Sequence, residues 1–395
     1  MHRETQSTRQ TPGKRQWHVI VIGAGSTGAA IAHDLALRGL RVTVVEREGV
    51  AAGTTGHNQA QLHSGARYAV NDPPAARECM EENLILRRIL PAALELNDGL
   101  FVALSEEHLA YRQPFLEACA RCGIPAQEIP VAQALKMEPQ VNQRALAAIR
   151  IPDGVFDPYR LCLSFLATAC RNGARVLTFT RVVGLDPQRG QVRVLDRRSG
   201  REETLGADLI VNAAGPWAPA IAGLAGVSLA VEPSAGVMVT LGARLCNMVL
   251  NILAPPTDGD IIVPQRQSVI LGTTSWRVDD PDDIPIPPEH VEQLFAQAEQ
   301  LIPAVRGAPV LGVMASARPL LADGGGGRAA TRGFACYDHA AEGADGLLSI
   351  VGGKTTTARG MAERMSDLVC RKLGLSVECQ TRSTPLLSHR LGVGA

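Results

Sequence analysis

The sequence predicts an α/β protein in which a mainly parallel sheet is interrupted by a second domain built on an antiparallel sheet. Three observations predict it. Near the N-terminus an apolar strand runs into a glycine turn, a helix and a second apolar strand. A buried-type strand ends in a small-residue turn at 208–215, and a third strand reaches a diglycine and a helix at 347–373. Between these pieces, helical patterns and then alternating strands break the strand–helix–strand order.

The first unit is His18-Val-Ile-Val-Ile22, Gly23-Ala-Gly-Ser-Thr-Gly28, an Ala-rich helix to about residue 39, then Arg41-Val-Thr-Val-Val-Glu46. Gly23 allows a tight turn, Gly25 lets the backbone approach a pyrophosphate, and Gly28 lets helix and strand pack closely. Glu46 ends the second strand where a carboxylate accepts hydrogen bonds from an adenosine ribose; it would repel a 2′-phosphate. Glycine turns alone arise for structural reasons, but strand, helix and terminal acid together specify a dinucleotide site. Ser26, Thr27, Arg47, Thr54 and Thr55 join this cofactor-binding set, with Ala214 and Gly215 from the second turn and Gly352, Gly353 and Thr355 from the third.

Further along, helical patterns fill 84–145 apart from a strand at 100–104. Strands are predicted at 175–183 and 191–196, then at 208–215, 234–241, 260–263 and 268–274. The Pro- and Asp-rich stretch 279–288 and the glycines 324–327 read as exposed loops. Asp157-Pro158 reads as a helix cap followed by proline at the first helical position.

A chain of 395 residues suggests two to three domains, and its 46% hydrophobic content excludes wholesale disorder. With 39 basic and 39 acidic residues, bulk charge excludes a nucleic-acid or lipid-surface binder, so any anion must be held locally. Nine cysteines without metal-ligand spacing, and no apolar leader in 1–16, fit free thiols in a cytoplasmic protein. Cys119-Ala-Arg-Cys122 has the spacing of a redox pair but lies in a helical stretch without a second pair, and reads as ordinary helix thiols. The uncharged run 209–231 holds Pro216 and Pro219 and is read as strand, turn and buried helix, not as a membrane span.

From His63-Ser-Gly-Ala-Arg67-Tyr68 onward the chain resembles the FAD-dependent glycerol-3-phosphate dehydrogenases, particularly the catalytic subunit of the anaerobic type. Gly53-Thr-Thr-Gly56, Ala76-Arg-Glu-Cys-Met-Glu-Glu-Asn83, Ile151-Pro-Asp-Gly-Val-Phe-Asp-Pro158, Asn212-Ala-Ala-Gly215, Gly272-Thr-Thr-Ser275, Ala317-Arg-Pro-Leu320 and Gly352-Gly-Lys354 follow in the family's order. The resemblance implies a Rossmann-like FAD-binding domain with an inserted antiparallel substrate domain, of the D-amino-acid-oxidase type. It places residues 17–85, 146–232 and 311–380 in the FAD domain, and 86–145 and 233–310 in the substrate domain, with tails at 1–16 and 381–395. Two features depart from the family. The clustered cysteines of an iron–sulfur region are represented only by Cys370 and Cys379, too few for a cluster. His57-Asn58 stands where arginine is common, and Thr55-Gly-His-Asn58 is similar to 2-hydroxyglutarate-oxidising flavoproteins of the same superfamily.

A flavin that oxidises a secondary alcohol needs a base for the hydroxyl proton and, for a phosphate ester, several cations to hold the dianion. Arg67, Arg318, Arg332 and Lys354 are the cationic candidates, each set among glycines or turns; the plain alternative for each is a solvated charge or a structural salt bridge. Tyr68 donates to the phosphate or packs. His63 is the candidate base, or a histidine that supports its turn. With Arg318 and Lys354 it makes up the catalytic set, and Arg67, Tyr68 and Arg332 make up the substrate-binding set. His57 is structural, substrate-binding or linked to the flavin, and noncovalent FAD is the reading adopted. Gly352-Gly-Lys-Thr355 ends like a phosphate loop, but Leu348 occupies the required first glycine; the resemblance aims this helix end at the flavin pyrimidine instead.

The expected reaction is oxidation of sn-glycerol 3-phosphate to dihydroxyacetone phosphate, with electrons passing to a quinone or to partner subunits. Attachment to the cytoplasmic face of a membrane is expected only through partners. A 2-hydroxy-acid dehydrogenase, or a flavin subunit with an electron-transfer or structural role in a larger complex, are the competing readings.

Overall fold

The computed structural model describes residues 16–322 and 333–391. Its first sheet has six strands in the order Phe334–Asp338, Leu347–Gly352, Leu209–Asn212, His18–Ile22, Arg41–Val45, Arg175–Leu177. All neighbours are parallel except the edge pair Phe334–Asp338 and Leu347–Gly352. These strands are near-continuous apolar runs because both faces are covered. Helices Ser26–Leu37, Pro158–Arg171 and Ala358–Lys372 pack together on one face. On the other face, the short helix Ala218–Gly223 and an antiparallel sheet of Thr180–Asp186, Gln191–Asp196 and Glu202–Gly206 bury Ile20, Ile210 and Val351.

The second sheet has nine strands. Gln127–Ile129, Ala147–Ile151, Gly99–Ala103, Val249–Ile252, Ile261–Gln265, Ser268–Gly272 and Val231–Leu241 follow in order, with Trp276–Arg277 beyond. Val310–Leu321 runs antiparallel along the other side of Val231–Leu241. One pair, Val249–Ile252 with Gly99–Ala103, is parallel. Its core packs against helix Pro288–Leu301. A small sheet of Gln61–Leu62, Gly154–Phe156 and Leu94–Glu95 lies beside the first sheet's core.

Several sequence expectations move. Ala147–Ile151, and Val310–Leu321 from its second residue on, fall in stretches assigned to the FAD domain from sequence, and both strands hydrogen-bond into the second sheet. The single strand at 175–183 is two strands in different sheets, because Phe179 takes a left-handed φ of 53° and turns the chain between them. The 381–395 tail is docked as far as it is described. Thr381 is buried, and the Leu386 and Leu387 N–H groups donate to Ile89 O and Thr168 Oγ1. Residues 1–15 and the glycines 324–327 lie outside the described residues. Asp157 caps helix Pro158–Arg171 as its spacing predicts, accepting from the N–H groups of Tyr159 and Arg160. Residues 209–231 form strand, turn and short helix, and no described helix is long and apolar enough to cross a membrane. Cys119 and Cys122 end a helix, and burial pushes the Cys119 thiol up to about 12, away from thiolate chemistry.

Candidate active site between the two sheets

The glycine turn is built as its spacing predicts. Gly23 takes φ 108°, and a Cβ there would lie 2.6 Å from Ala213 O; one on Gly28 would lie 2.0 Å from Gly23 O. Helix Ser26–Leu37 starts at Gly25 with no side-chain cap and no acid in its first turn, where Ser26 and Thr27 stand. Its N-terminus therefore suits an anion. Thr55 Oγ1 accepts from Ser26 N at 3.1 Å, which brings the Thr54–Gly56 turn against this end. Glu46 Oε2 accepts from Ala24 N at 2.8 Å, so the ribose-type acid is fixed beside the turn. Ala214 and Gly215 follow the central strand, and the Asn212 amide ties that turn to Ala218 O and Ser349 Oγ. These residues fit FAD, with the helix end and Gly25 suited to its pyrophosphate and Glu46 to its ribose.

Two cofactor candidates have other contacts. Arg47 donates to Asp282 at 2.6 and 3.2 Å and lies over the Trp217 ring at 4.2 Å, so the 279–288 loop is anchored rather than simply exposed. Thr54 donates its hydroxyl to Ala317 O at 2.6 Å, which joins the cofactor turn to the second sheet.

Between the sheets lies a cavity of about 780 Å³ bordered by His57, His63, Tyr68, Arg318, Lys354 and Thr355. Gly352 and Gly353 adopt φ 89° and 74°, which only glycine takes freely, and deliver Lys354 to the cavity wall. The turn Thr355–Thr357 and helix Ala358–Lys372 start there, so a helix N-terminus opens beside the cavity. The His63 and Tyr68 rings lie 5.4 Å apart, and Lys354 Nζ is 5.2 Å from the Tyr68 ring centre. Arg318 donates to Ser234 O, Ala235 O, Thr273 Oγ1 and Thr274 O at 2.8–3.3 Å. These four acceptors are neutral, so they fix the guanidinium plane without themselves cancelling its charge.

The structure thus brings His63, Tyr68, Arg318 and Lys354 to one cavity. Arg332 lies outside the described residues. Arg67 also borders the cavity, but its guanidinium is paired with the Asp260 carboxylate at 2.6 and 2.8 Å. Burial, the largest single influence, would lower its pKa, but the Asp260 charge and hydrogen bonds together with the nearby Tyr68 and Tyr111 outweigh it and the net shift is upward. His57 shares a hydrogen bond between Nδ1 and Gly53 O at 2.9 Å. The Asn58 amide donates to Thr55 O and Thr355 Oγ1 and accepts from Ala60 N, so it ties its own loop to the Thr355 turn.

Sequence reasoning missed the residues that hold His63. Asp153 accepts from Ser64 N at 2.6 Å and Gln61 Nε2 at 2.7 Å, and Asn83 donates to the carbonyls of Leu62, His63 and Pro152. The available signal was the Pro152-Asp153-Gly154 turn between two apolar runs. Asp260 was also missed.

Comparison with known proteins extends these observations. A family model described as FAD dependent oxidoreductase matches residues 18–367. The chain is 43% identical over 376 residues to a subunit of the anaerobic glycerol-3-phosphate dehydrogenase of Haemophilus influenzae, covering 93% of this chain and 67% of that one. It is 42% identical to the subunit of the same name from Escherichia coli K12, covering 93% and 69%. Among solved structures, a glycerol-3-phosphate dehydrogenase from Bacillus halodurans complexed with FAD superposes with a TM-score of 0.73 at 24% identity, over 94% of this chain and 68% of that one. The glycine turn, the paired sheets and a family match over nearly the whole length converge, and the chain belongs to the FAD-dependent oxidoreductases of the D-amino-acid-oxidase type.

Proposed function

We propose that this chain catalyses the FAD-dependent oxidation of sn-glycerol 3-phosphate to dihydroxyacetone phosphate. The observation that carries the reading is one cavity holding a histidine, an arginine and a lysine, in a chain 43% identical to one component of a glycerol-3-phosphate dehydrogenase. When bound, FAD supplies the hydride acceptor, its N5, for the hydrogen on C2.

The chain's own residues do the rest. Arg318, held flat by four acceptors, and Lys354 hold the phosphate dianion. His63 takes the C2 hydroxyl proton, with its backbone fixed by Asn83 and by Thr356 Oγ1. The helix end at Thr355–Thr357 favours negative charge developing beside it. The Thr55–Asn58 stretch, which suggests a 2-hydroxy-acid substrate, uses the Asn58 amide on local backbone and Thr355, so it gives that rival little support.

Electrons pass onward to a quinone or to partner subunits. The relatives are named as single subunits of their enzyme, which supports an assembly of several chains. Dye-linked assays of the FAD-loaded protein test the reading. Glycerol 3-phosphate should be oxidised in strong preference to glycerol and to 2-hydroxyglutarate. Preference for 2-hydroxyglutarate would end it.

A further inference from the structure

Three links tie residues 46–57, which carry the ribose-type acid and the Thr54–Gly56 turn, to the inserted domain. Two of them reach strand Val310–Leu321: Thr54 Oγ1 donates to Ala317 O at 2.6 Å, and Ser316 Oγ donates to His57 O at 2.6 Å. The third link is ionic. Arg47 Nη1 and Nη2 donate to the two carboxylate oxygens of Asp282 at 3.2 and 2.6 Å, and the two side chains stay 35% and 53% exposed. The Arg47 hydrogen bonds hold the Asp282 carboxyl below its ordinary range, so it is ionised at neutral pH. The loop that brings Asp282 belongs to the inserted domain at both ends. It starts where Val278 N donates to Pro233 O of the second sheet, and it runs into helix Pro288–Leu301.

Arg47 itself is set in the first domain. Its carbonyl accepts from Arg197 Nη1 at 2.9 Å. Its guanidinium lies 4.2 Å over the Trp217 ring, an edge of which comes within 2.9 Å of a Cβ placed on Gly53. The segment in turn lies against the anion site, since Thr55 Oγ1 accepts from Ser26 N at 3.1 Å, at the helix N-terminus suited to the pyrophosphate. A dinucleotide reaches or leaves that end when residues 46–57 draw back, and the inserted domain resists this through its three links.

We propose that the Arg47–Asp282 pair is a clasp on the cofactor: through it the inserted domain holds the FAD site shut, and its opening sets the rate at which FAD enters and leaves. Of the three links it is the charged and exposed one, so water and salt compete for its groups, whereas the other two join neutral, partly buried groups. The two charges bond to each other, so breaking the pair lowers the barrier to entry and to exit alike and leaves affinity nearly unchanged. The inference is independent of which alcohol the enzyme oxidises.

The test follows flavin fluorescence and needs no turnover. Dilution of the FAD-loaded protein reads release, and mixing of apoprotein with FAD reads capture. Asp282→Asn keeps the size and one acceptor oxygen but removes the charge. Release and capture should both quicken by about three- to fivefold, the range an exposed bidentate pair supports, while the Kd for FAD stays within about twofold. Raising NaCl from about 0.05 to about 0.5 M should quicken release from the unaltered protein towards the variant's rate and change the variant much less. Should Asp282→Asn fail to fold, the salt series on the unaltered protein decides alone.

Unchanged release from a folded Asp282→Asn protein overturns the proposal, and so does release from the unaltered protein that does not respond to salt. Faster release with unchanged capture, and a Kd weakened in proportion, overturns it too, because the pair would then be part of the cofactor site itself.

Discussion

The ammonium of Lys354 lies 5.2 Å from the centre of the Tyr68 ring, within the range where a cation is drawn to an aromatic face. Replacing Lys354 by Met should remove a charge-assisted contact of about 1.5–3 kcal/mol and lower kcat/KM for glycerol 3-phosphate by roughly one to two orders of magnitude. Tyr68→Phe keeps the ring and should stay close to the unaltered rate, whereas Tyr68→Leu should lose part of what Lys354→Met loses. Steady-state kinetics on the three variants check this order.

Glu46 anchors the cofactor turn through Ala24 N and also accepts from Glu48 N at 2.9 Å. Glu46→Ala should weaken FAD binding by about one to two orders of magnitude, the worth of a charge-assisted hydrogen bond. The measurement is a fluorescence titration of apoprotein with FAD. Undiminished affinity would mean that the acid serves only the turn.

The Glu82 and Arg359 side chains form a buried bidentate pair at 2.5 and 2.8 Å between the two helices they sit on. Breaking it with Glu82→Gln leaves a buried guanidinium short of its main partner. The expected loss is about 3–5 kcal/mol of stability, read as a shift in the urea midpoint. Removing both partners together, with Arg359→Met, should restore much of that loss.

His33 is buried against Phe165 with neither ring nitrogen hydrogen-bonded, and burial lowers its pKa from 6.5 to about 4. Its neutral form is the one the fold accommodates. The contribution of this residue is therefore present above pH 6.5 and lost as pH falls from 6.5 towards 4, by an amount on the order of 3 kcal/mol. His33→Leu should flatten the stability–pH curve in that window, as followed by denaturation at several pH values. An unaltered slope would assign the acid sensitivity to other groups.

Features carried by local spacing were legible in the sequence. Gly23, Gly25, Gly28 and Glu46 lie within one strand–turn–helix–strand unit, so their chemistry follows from their separations. Lys354 is similarly announced by the diglycine before it. The Arg67–Asp260 pair was not legible, because 193 residues separate its members and nothing near either one names the other. Arg47 was read from its place after Glu46, while its partner Asp282 comes from a loop 235 residues later. Which sheet Val310–Leu321 joins was likewise not legible, because only its pairing with the distant strand Val231–Leu241 decides it.

The order of strands in the first sheet also bears on how the chain is made. His18–Ile22 lies between Arg41–Val45 and Leu209–Asn212, and the His18 N–H donates to Asp208, 190 residues further on. At a synthesis rate of roughly 5–20 residues per second, the oldest strand waits about 10–40 s for that neighbour. Lys354 and its helix emerge later still. The early strands therefore leave the ribosome as exposed apolar ribbons, open to chaperones and to aggregation, and the flavin can be locked in only after Lys354 and its helix have been made. Expression yield should accordingly respond to growth temperature and chaperone supply more than to riboflavin in the medium.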